Sequence, residues 1–373
     1  MRAQPPSTRC GGRTDLGWGH DLEGAFAAHR AHGLRPARVA IEHRGAYTIL
    51  EPGPGGPCEG LAAVSGRFRY GTTRPADYPA VGDWVAIDGD TSANSATIHA
   101  VLPRRTAFSR LAAGLRTEAQ VVAANVDVVF VAMGLDGDFN LRRLERYLAV
   151  AWGSGARPVV LLTKADACPD VEGMRIAASA TAPGVEVLAV SAVSGQGLGV
   201  VAARVGLGTT AAVLGSSGVG KSTLINALLG HSVLATAAVR ADDRGRHTTT
   251  SRQLIVLPSC GMIIDTPGMR ELGLWQAGAA IDEAFAEIDE LATSCRFADC
   301  VHEHEPGCAV LVAIGEGRLP RERLKNRRKM EREAARTEGR RSPAERAEAR
   351  RFAKMVRNIS AETIARKSAG SWR

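Results

Sequence analysis

The sequence predicts a multidomain chain: a small β-barrel first, an α/β domain on a parallel sheet second, a helical domain last. Three observations carry that prediction. Between 36 and 105 lie five short apolar-alternating runs, ARVAIEHR, AYTILEP, GLAAVSGRFRY, DWVAIDG and ATIHAVLP, parted by Gly, Pro and Asp. From about 121 strand-like and helical runs alternate, the pattern of a parallel sheet covered on both faces. After Thr266 the alternation stops, and helical pattern, a Cys/His cluster and a Lys/Arg/Glu-rich stretch follow.

Residues 1–35 read as an N-terminal extension, with a flexible start and then a short helix. Asp21-Leu22-Glu23 opens that helix, and Gly33 and Pro36 close it. Residues 36–107 form the barrel. Five strands fit an OB-fold, and an SH3-like barrel would give similar runs. Residues 108–275 hold the α/β domain. Strand NVDVVFVAM (125–133) precedes helical NLRRLERYLAVAW (140–152). Strand RPVVLL, a helix near 171–180, strand VEVLAV, a helix near 197–205 and strand TTAAVL come next. Residues 276–373 hold the helical domain, with the Cys/His cluster and a basic helical tail.

Chemistry concentrates at the ends of these strands. Gly215-Ser216-Ser217-Gly218-Val219-Gly220-Lys221-Ser222-Thr223 follows TTAAVL and opens helical KSTLINALLG. A glycine-rich turn in that setting lets backbone N–H groups curl around phosphate oxygens, and the helix start adds partial positive charge. Lys221 is then the side chain for the β and γ phosphates, and Ser222 offers its hydroxyl to Mg²⁺.

Thr163-Lys164-Ala165-Asp166 ends RPVVLL, where open α/β sheets bind ligands. Asp166 there can accept N1–H and N2–H₂ of guanine, a pair that adenine does not present. The Lys164 stem can lie against the base. Ser191-Ala192, after VEVLAV, matches a small backbone turn suited to guanine O6. Asp265-Thr266-Pro267-Gly268 follows GMIID; Asp265 can hold Mg²⁺ through water and the Gly268 N–H can sense the γ-phosphate.

The polar loop Arg244-Gly245-Arg246-His247-Thr248-Thr249-Thr250 lies where a first switch belongs. Three threonines leave its Mg²⁺ ligand ambiguous, with Thr249 favoured over Thr248. Met269 follows Gly268 and cannot orient water, so intrinsic turnover is expected to be slow, about 10⁻⁴–10⁻³ s⁻¹. His247 is the candidate that positions the attacking water once RNA orders the loop.

Charge and cysteine usage bound the setting. Residues 318–373 carry 19 Lys/Arg against 7 Glu, a charge of +12 that leaves the preceding 317 residues at −4 within the chain's +8. A basic tail on a mildly acidic body suggests a polyanion, with RNA foremost. On the barrel, Arg67, Arg69, Tyr70, Arg74, Arg104 and Arg105 are candidate RNA contacts. Of seven cysteines, Cys295, Cys300 and Cys308 cluster. With His302 or His304 they make a closed tetrahedral set suited to structural Zn²⁺ in a reducing compartment. Cys10, Cys58, Cys168 and Cys260 are scattered and read as having no special role. No run reaches the ~18 apolar residues of a membrane span, and the N-terminus lacks a signal-peptide core. The expectation is a cytoplasmic monomer with no membrane association.

Ordinary GTPases run P-loop, switch one, DxxG, base motif and SA turn. Here the base motif and SA turn precede the P-loop, switch one and DxxG. With TKAD, GSSGVGKST, GRHTTT, DTPG and Cys295-x4-Cys300-x-His302-x5-Cys308, this order makes the chain resemble the small-subunit-dependent, circularly permuted GTPases of the RsgA (YjeQ) type. The resemblance covers about 35 to 310 and implies an OB-fold, a permuted GTPase centre and a zinc domain with His302 as the fourth ligand. It implies binding of GTP and GDP, and binding to the small (30S) ribosomal subunit and its rRNA late in maturation. Subunit-stimulated hydrolysis would then be linked to release. Thr163 departs from the usual Asn, which lowers the guanine affinity expected; the Arg-rich tail and longer N-terminus depart as well. Two other readings stay open: an RNA-binding protein that uses nucleotide only as a structural ligand, and an ATP-using P-loop enzyme.

Overall fold

The structure is a computed structural model that describes residues 12–111, 119–230, 252–265 and 277–339. The sequence-predicted residues His247, Thr248, Thr249, Thr266, Pro267, Gly268 and Met269 lie outside the described residues, as do Cys10 and the tail beyond Gly339. The chain divides into two compact units, Met1–Phe139 with Ala156–Leu272, and Asn140–Gly155 with Gly273–Arg373.

In the first unit, helix α1 (His20–Ala31) buries Leu22 and Phe26, four residues apart on one face. Trp18, just before it, meets Phe26 and Trp84 edge to face at centroid distances of 5.5 and 4.8 Å. Five strands follow: β1 (Arg35–Glu42), β2 (Tyr47–Glu51), β3 (Cys58–Val64), β4 (Trp84–Asp88) and β5 (Ala96–Val101). They pair in the order β1-β2-β3-β5-β4, and β4 returns to β1 through Arg35↔Ile87 to Arg38↔Trp84. This closed ring is an OB-type barrel, filled by the inward set Val39, Ile49, Val85, Ile87 and Ile98.

The run GLAAVSGRFRY does not stay extended. Ser65 accepts a hydrogen bond from the Phe68 N–H at 3.1 Å and caps α2 (Gly66–Gly71), so β3 stops at Val64. A serine hydroxyl competes with the ladder by offering the backbone a local partner.

Strands β6 (Ala107–Leu111) and β7 (Ala119–Ala124) pair antiparallel. The parallel layer contains β8 (Val128–Gly134), β9 (Arg157–Thr163), β10 (Glu186–Ala189), β11 (Thr210–Leu214) and β13 (Met262–Asp265), and β12 (Gln253–Val256) runs antiparallel to β13. Their order is β10-β9-β8-β11-β13-β12, and β12 continues into the barrel through Ile41↔Gln253 on β1. Helices α4 (Val171–Thr181), α5 (Leu198–Arg204) and α6 (Lys221–Leu229) connect the layer. Its core joins Phe130, Leu161, Val213, Leu224, Ile225 and Ile263.

Arg38 lies fully buried in this unit. Its guanidinium donates to the carbonyls of Leu16, Gly82 (3.2 Å) and Asn125 (3.1 Å) and to Thr210 Oγ1 (2.8 Å). Burial lowers its pKa to about 10, with Asp127 opposing that shift, so the group stays charged at neutral pH. Cys260, to which the sequence assigned no special role, is buried.

The second unit packs α3 (Leu141–Ser154) with α7 (Ala277–Ala284), α8 (Ala286–Ala292), α9 (Ala309–Gly315) and α10 (Arg321–Gly339). Asn140 caps α3 by accepting from the Arg143 N–H at 3.0 Å, and Gly155 ends it at φ 86°. Its core gathers Ala149, Ile281, Phe285, Ile288, Val310 and Leu324. Arg323 on α10 reaches Glu145 at 2.9 Å and Glu287 at 2.5 Å.

Candidate nucleotide site and metal centre

Strands β8, β9, β10, β11 and β13 run parallel, so their C-terminal ends share one edge of the sheet. At that edge stand Gly134, Thr163, the Ser191 turn, Gly215 and Asp265. Residues distant in sequence and permuted in order thus meet along one rim.

The phosphate loop is shaped by its glycines. Gly218 and Gly220 adopt φ of 76° and 99°, left-handed values that side chains resist. At Gly215 a Cβ would lie 2.9 Å from the Ala132 carbonyl, so the loop's first turn packs directly on β8. Gly220 leads into α6, the geometry that aims helix N–H groups at an anion. Lys221 Nζ donates to the Gly215 and Ser216 carbonyls at 2.9 and 2.6 Å. Ser216 is buried, Ser217 and Thr223 are exposed, Val219 is buried and Ser222 is half-buried. Asp265, at the end of β13, is buried, and burial raises its pKa while Lys221 opposes the rise. A group so placed gains from a nearby cation.

On the base side, the Thr163 hydroxyl donates to the Val219 carbonyl at 2.7 Å, tying the end of β9 to the phosphate loop. This contact was not legible in the sequence, where Thr163 stood as the first residue of the base motif and as a departure from the usual Asn. Lys164 sits at φ 60°, and the Ala165 N–H bonds to the Val190 carbonyl at 3.1 Å, fastening this turn to the Ser191 turn. Asp166 is exposed. Ser191 is fully buried; its Oγ accepts from the Ser194 N–H at 3.0 Å and holds the turn that presents Ala192.

Two further acidic residues were missed. Asp136 pairs with Lys164, and Asp138 accepts from the Ser216 hydroxyl. Both lie on the loop after β8. The signal was available, since that loop must share the carboxyl edge with every other binding loop.

In the second unit, ligand atoms of Cys295, Cys300, His302 and Cys308 all lie within 4.8 Å of one another. Cys295 Sγ is 3.8 Å from Cys308 Sγ, and His302 Nδ1 is 3.3 Å from Cys308 Sγ. Tetrahedral Zn–S bonds of about 2.3 Å place sulfurs about 3.8 Å apart, so the donor set fits that ion in chemistry and spacing. Burial, and then the charges of Arg327 and Arg328, lower the His302 pKa and favour the neutral imidazole that ligates. His304 is not in the cluster.

The barrel arginines separate into two sets. Arg104 binds Asp83 at 2.7 Å and the Ala76 and Tyr78 carbonyls, Arg105 faces Asp127 at 3.6 Å, and Arg74 pairs with Asp77 at 2.7 Å. Arg67, Arg69 and Tyr70 on α2 are exposed, Tyr70 at 94%, and among the described residues their side chains have no hydrogen-bond or ion-pair partner. No helix among the described residues is long and apolar enough to cross a membrane.

A model of the RsgA GTPase family matches residues 101–275. The small ribosomal subunit biogenesis GTPase RsgA of Streptomyces coelicolor is 46% identical over 342 residues, 91% of each chain. Its namesake in Opitutus terrae is 46% identical over 332 residues, 86% of this chain and 89% of that one. The crystal structure of YjeQ from Thermotoga maritima aligns with a TM-score of 0.60 at 25% identity, covering 81% of this chain and 99% of that one. That of YloQ, a circularly permuted GTPase, aligns at 0.58 and 22% identity, covering 84% and 98%.

Proposed function

The chain belongs to the RsgA GTPase family, and from that premise we propose that it hydrolyses GTP on the small ribosomal subunit late in that subunit's maturation, as a cytoplasmic monomer. The observation that carries the reading is the convergence of phosphate loop, base turn and Asp265 along one sheet edge in a permuted chain. Such a rim suits a purine nucleotide triphosphate, and Asp166 beside the Ser191–Ala192 turn favours guanine over adenine.

The roles divide by position. Backbone N–H groups of Gly215 to Thr223 and the start of α6 hold the phosphates. Lys221 exchanges its carbonyl partners for the β and γ oxygens. Thr163 braces the phosphate loop, while Lys164, Ala165, Asp166, Ser191 and Ala192 enclose the base. Ser222 and Thr249 would hold Mg²⁺, with Asp265 through water and Gly268 sensing the γ-phosphate; the ion would neutralise charge on the phosphates. His247 orients the attacking water. Zn²⁺ at Cys295, Cys300, His302 and Cys308 would be structural, since four protein ligands leave no open position.

Turnover of GTP and ATP by the purified protein, with and without small or large subunits, tests this. GTP-only hydrolysis, accelerated tenfold or more by small subunits alone and lost in His247→Ala, is the expected outcome. GTP hydrolysis indifferent to subunits would remove the ribosomal assignment, and equal use of ATP would remove the guanine one. Undiminished stimulation in His247→Ala would remove only the role of that histidine.

A further inference from the structure

The loop after β8 is fastened to both halves of the nucleotide rim. The Leu135 N–H donates to the Thr163 carbonyl at 3.0 Å, which brings Asp136 beside Lys164. Asp138 accepts from the Ser216 hydroxyl of the phosphate loop. Gly134 allows the loop to fold down so closely: a Cβ there would stand 2.6 Å from Asp136 Oδ1.

The Asp136–Lys164 pair needs a reason other than stability. Its side chains are 36% and 26% exposed, and pairs of that kind contribute little to folding. Lys164 nevertheless holds a left-handed backbone at φ 60°, a conformation that persists at non-glycine residues where the surrounding structure over-determines it, and that clusters at ligand sites. A lysine stem has many rotamers, and a binding site loses affinity whenever it must freeze one.

We propose that Asp136 is a positioning residue of the guanine site: its carboxylate holds the Lys164 side chain extended along the rim before nucleotide arrives. The proposal rests on the guanine-nucleotide reading above. Asp136 itself touches no part of the nucleotide and acts through Lys164. Asp138 anchors the far end of the same loop, so that the carboxylate is presented from a fixed backbone.

The test is calorimetric titration of GDP into the full chain for wild type, Asp136→Asn, Lys164→Ala and the double variant. Asp136→Asn weakens GDP binding by about three- to fivefold, the factor an ion pair of this exposure supports. Its thermal midpoint stays at the wild-type value, and Asp136→Glu recovers most of the loss. In the Lys164→Ala background the Asp136 substitution changes nothing further, because the partner it positions is gone. Wild-type affinity in Asp136→Asn, or the same loss persisting without Lys164, would overturn the proposal while leaving the guanine site intact. Failure of the wild-type chain to bind GDP would overturn the guanine reading, and this proposal with it.

Discussion

Arg38 shows how a single charge can organise a unit. It is fully buried, and among the described residues no carboxylate pairs with it; three carbonyls and the Thr210 hydroxyl accept its hydrogen bonds. Those acceptors come from the N-terminal extension, the barrel and the nucleotide sheet, so one side chain joins segments far apart in sequence. Its guanidinium also lies 5.8 Å from the Trp84 ring centroid. Removing it leaves several acceptors buried without a donor, each costing about 1–3 kcal/mol. Arg38→Ala should therefore lower the unfolding free energy by about 3 kcal/mol or more, read from urea midpoints. Arg38→Met keeps the apolar stem and should lose nearly as much. A methionine variant as stable as wild type would show that packing, and not acceptor satisfaction, is what Arg38 supplies.

At the scale of elements, what was legible in the sequence depended on how local its signal is. The phosphate loop needs only a strand, a glycine turn and a helix in succession, and Gly215 to Ser222 announce all three. The barrel strands showed themselves by alternation, and OB-type closure then fits the β3–β5 and β1–β4 pairings. The β6–β7 pairing stayed hidden because β7's Ala-Gln-Val-Val-Ala-Ala has no strict alternation. Asp136 and Asp138 lie on a loop whose place at the carboxyl edge was legible, but the partners Lys164 and Ser216 were not, because they come from the ends of other strands.

The Cys/His cluster was legible as composition, but its mechanical role came from structure. Cys308 is 2% exposed, caps α9 by accepting from the Leu311 N–H at 3.4 Å, and belongs to the same core as Phe285 and Leu324. A metal held there would fix the entry to α9 and the packing of α10 together. The purified chain should contain about one zinc per molecule. Cys308→Ser should reduce that content and lower the melting transition of the C-terminal unit, as should chelation. A folded, metal-free chain with an unchanged transition would contradict the zinc assignment.

On a larger scale, the barrel and the nucleotide sheet form one continuous sheet, eleven-stranded among the described residues, joined where β12 meets β1 at Ile41↔Gln253. The ion pair Arg252–Glu42, at 3.4 Å, braces the same junction. An RNA contact on the barrel would therefore be made by the same compact unit that carries the phosphate loop. Of six barrel candidates, Arg74, Arg104 and Arg105 are committed to carboxylates, which leaves Arg67, Arg69 and Tyr70 on α2. An exposed tyrosine beside two exposed arginines can stack an unpaired base while the guanidinium groups meet phosphates. A base–aromatic stack is worth about 1–3 kcal/mol. Tyr70→Ala should thus raise the small-subunit concentration for half-maximal stimulation of GTP turnover by about fivefold to a hundredfold. Basal turnover without subunits should not move, and stimulation at saturating subunit should return to the wild-type level, because docking alone is weakened. Arg67→Ala with Arg69→Ala should instead flatten the salt dependence of subunit binding, by about one unit of logarithmic slope for each phosphate no longer neutralised. If half-maximal stimulation is unchanged in Tyr70→Ala and the salt slope is unchanged in the arginine pair, α2 is not the RNA-facing element.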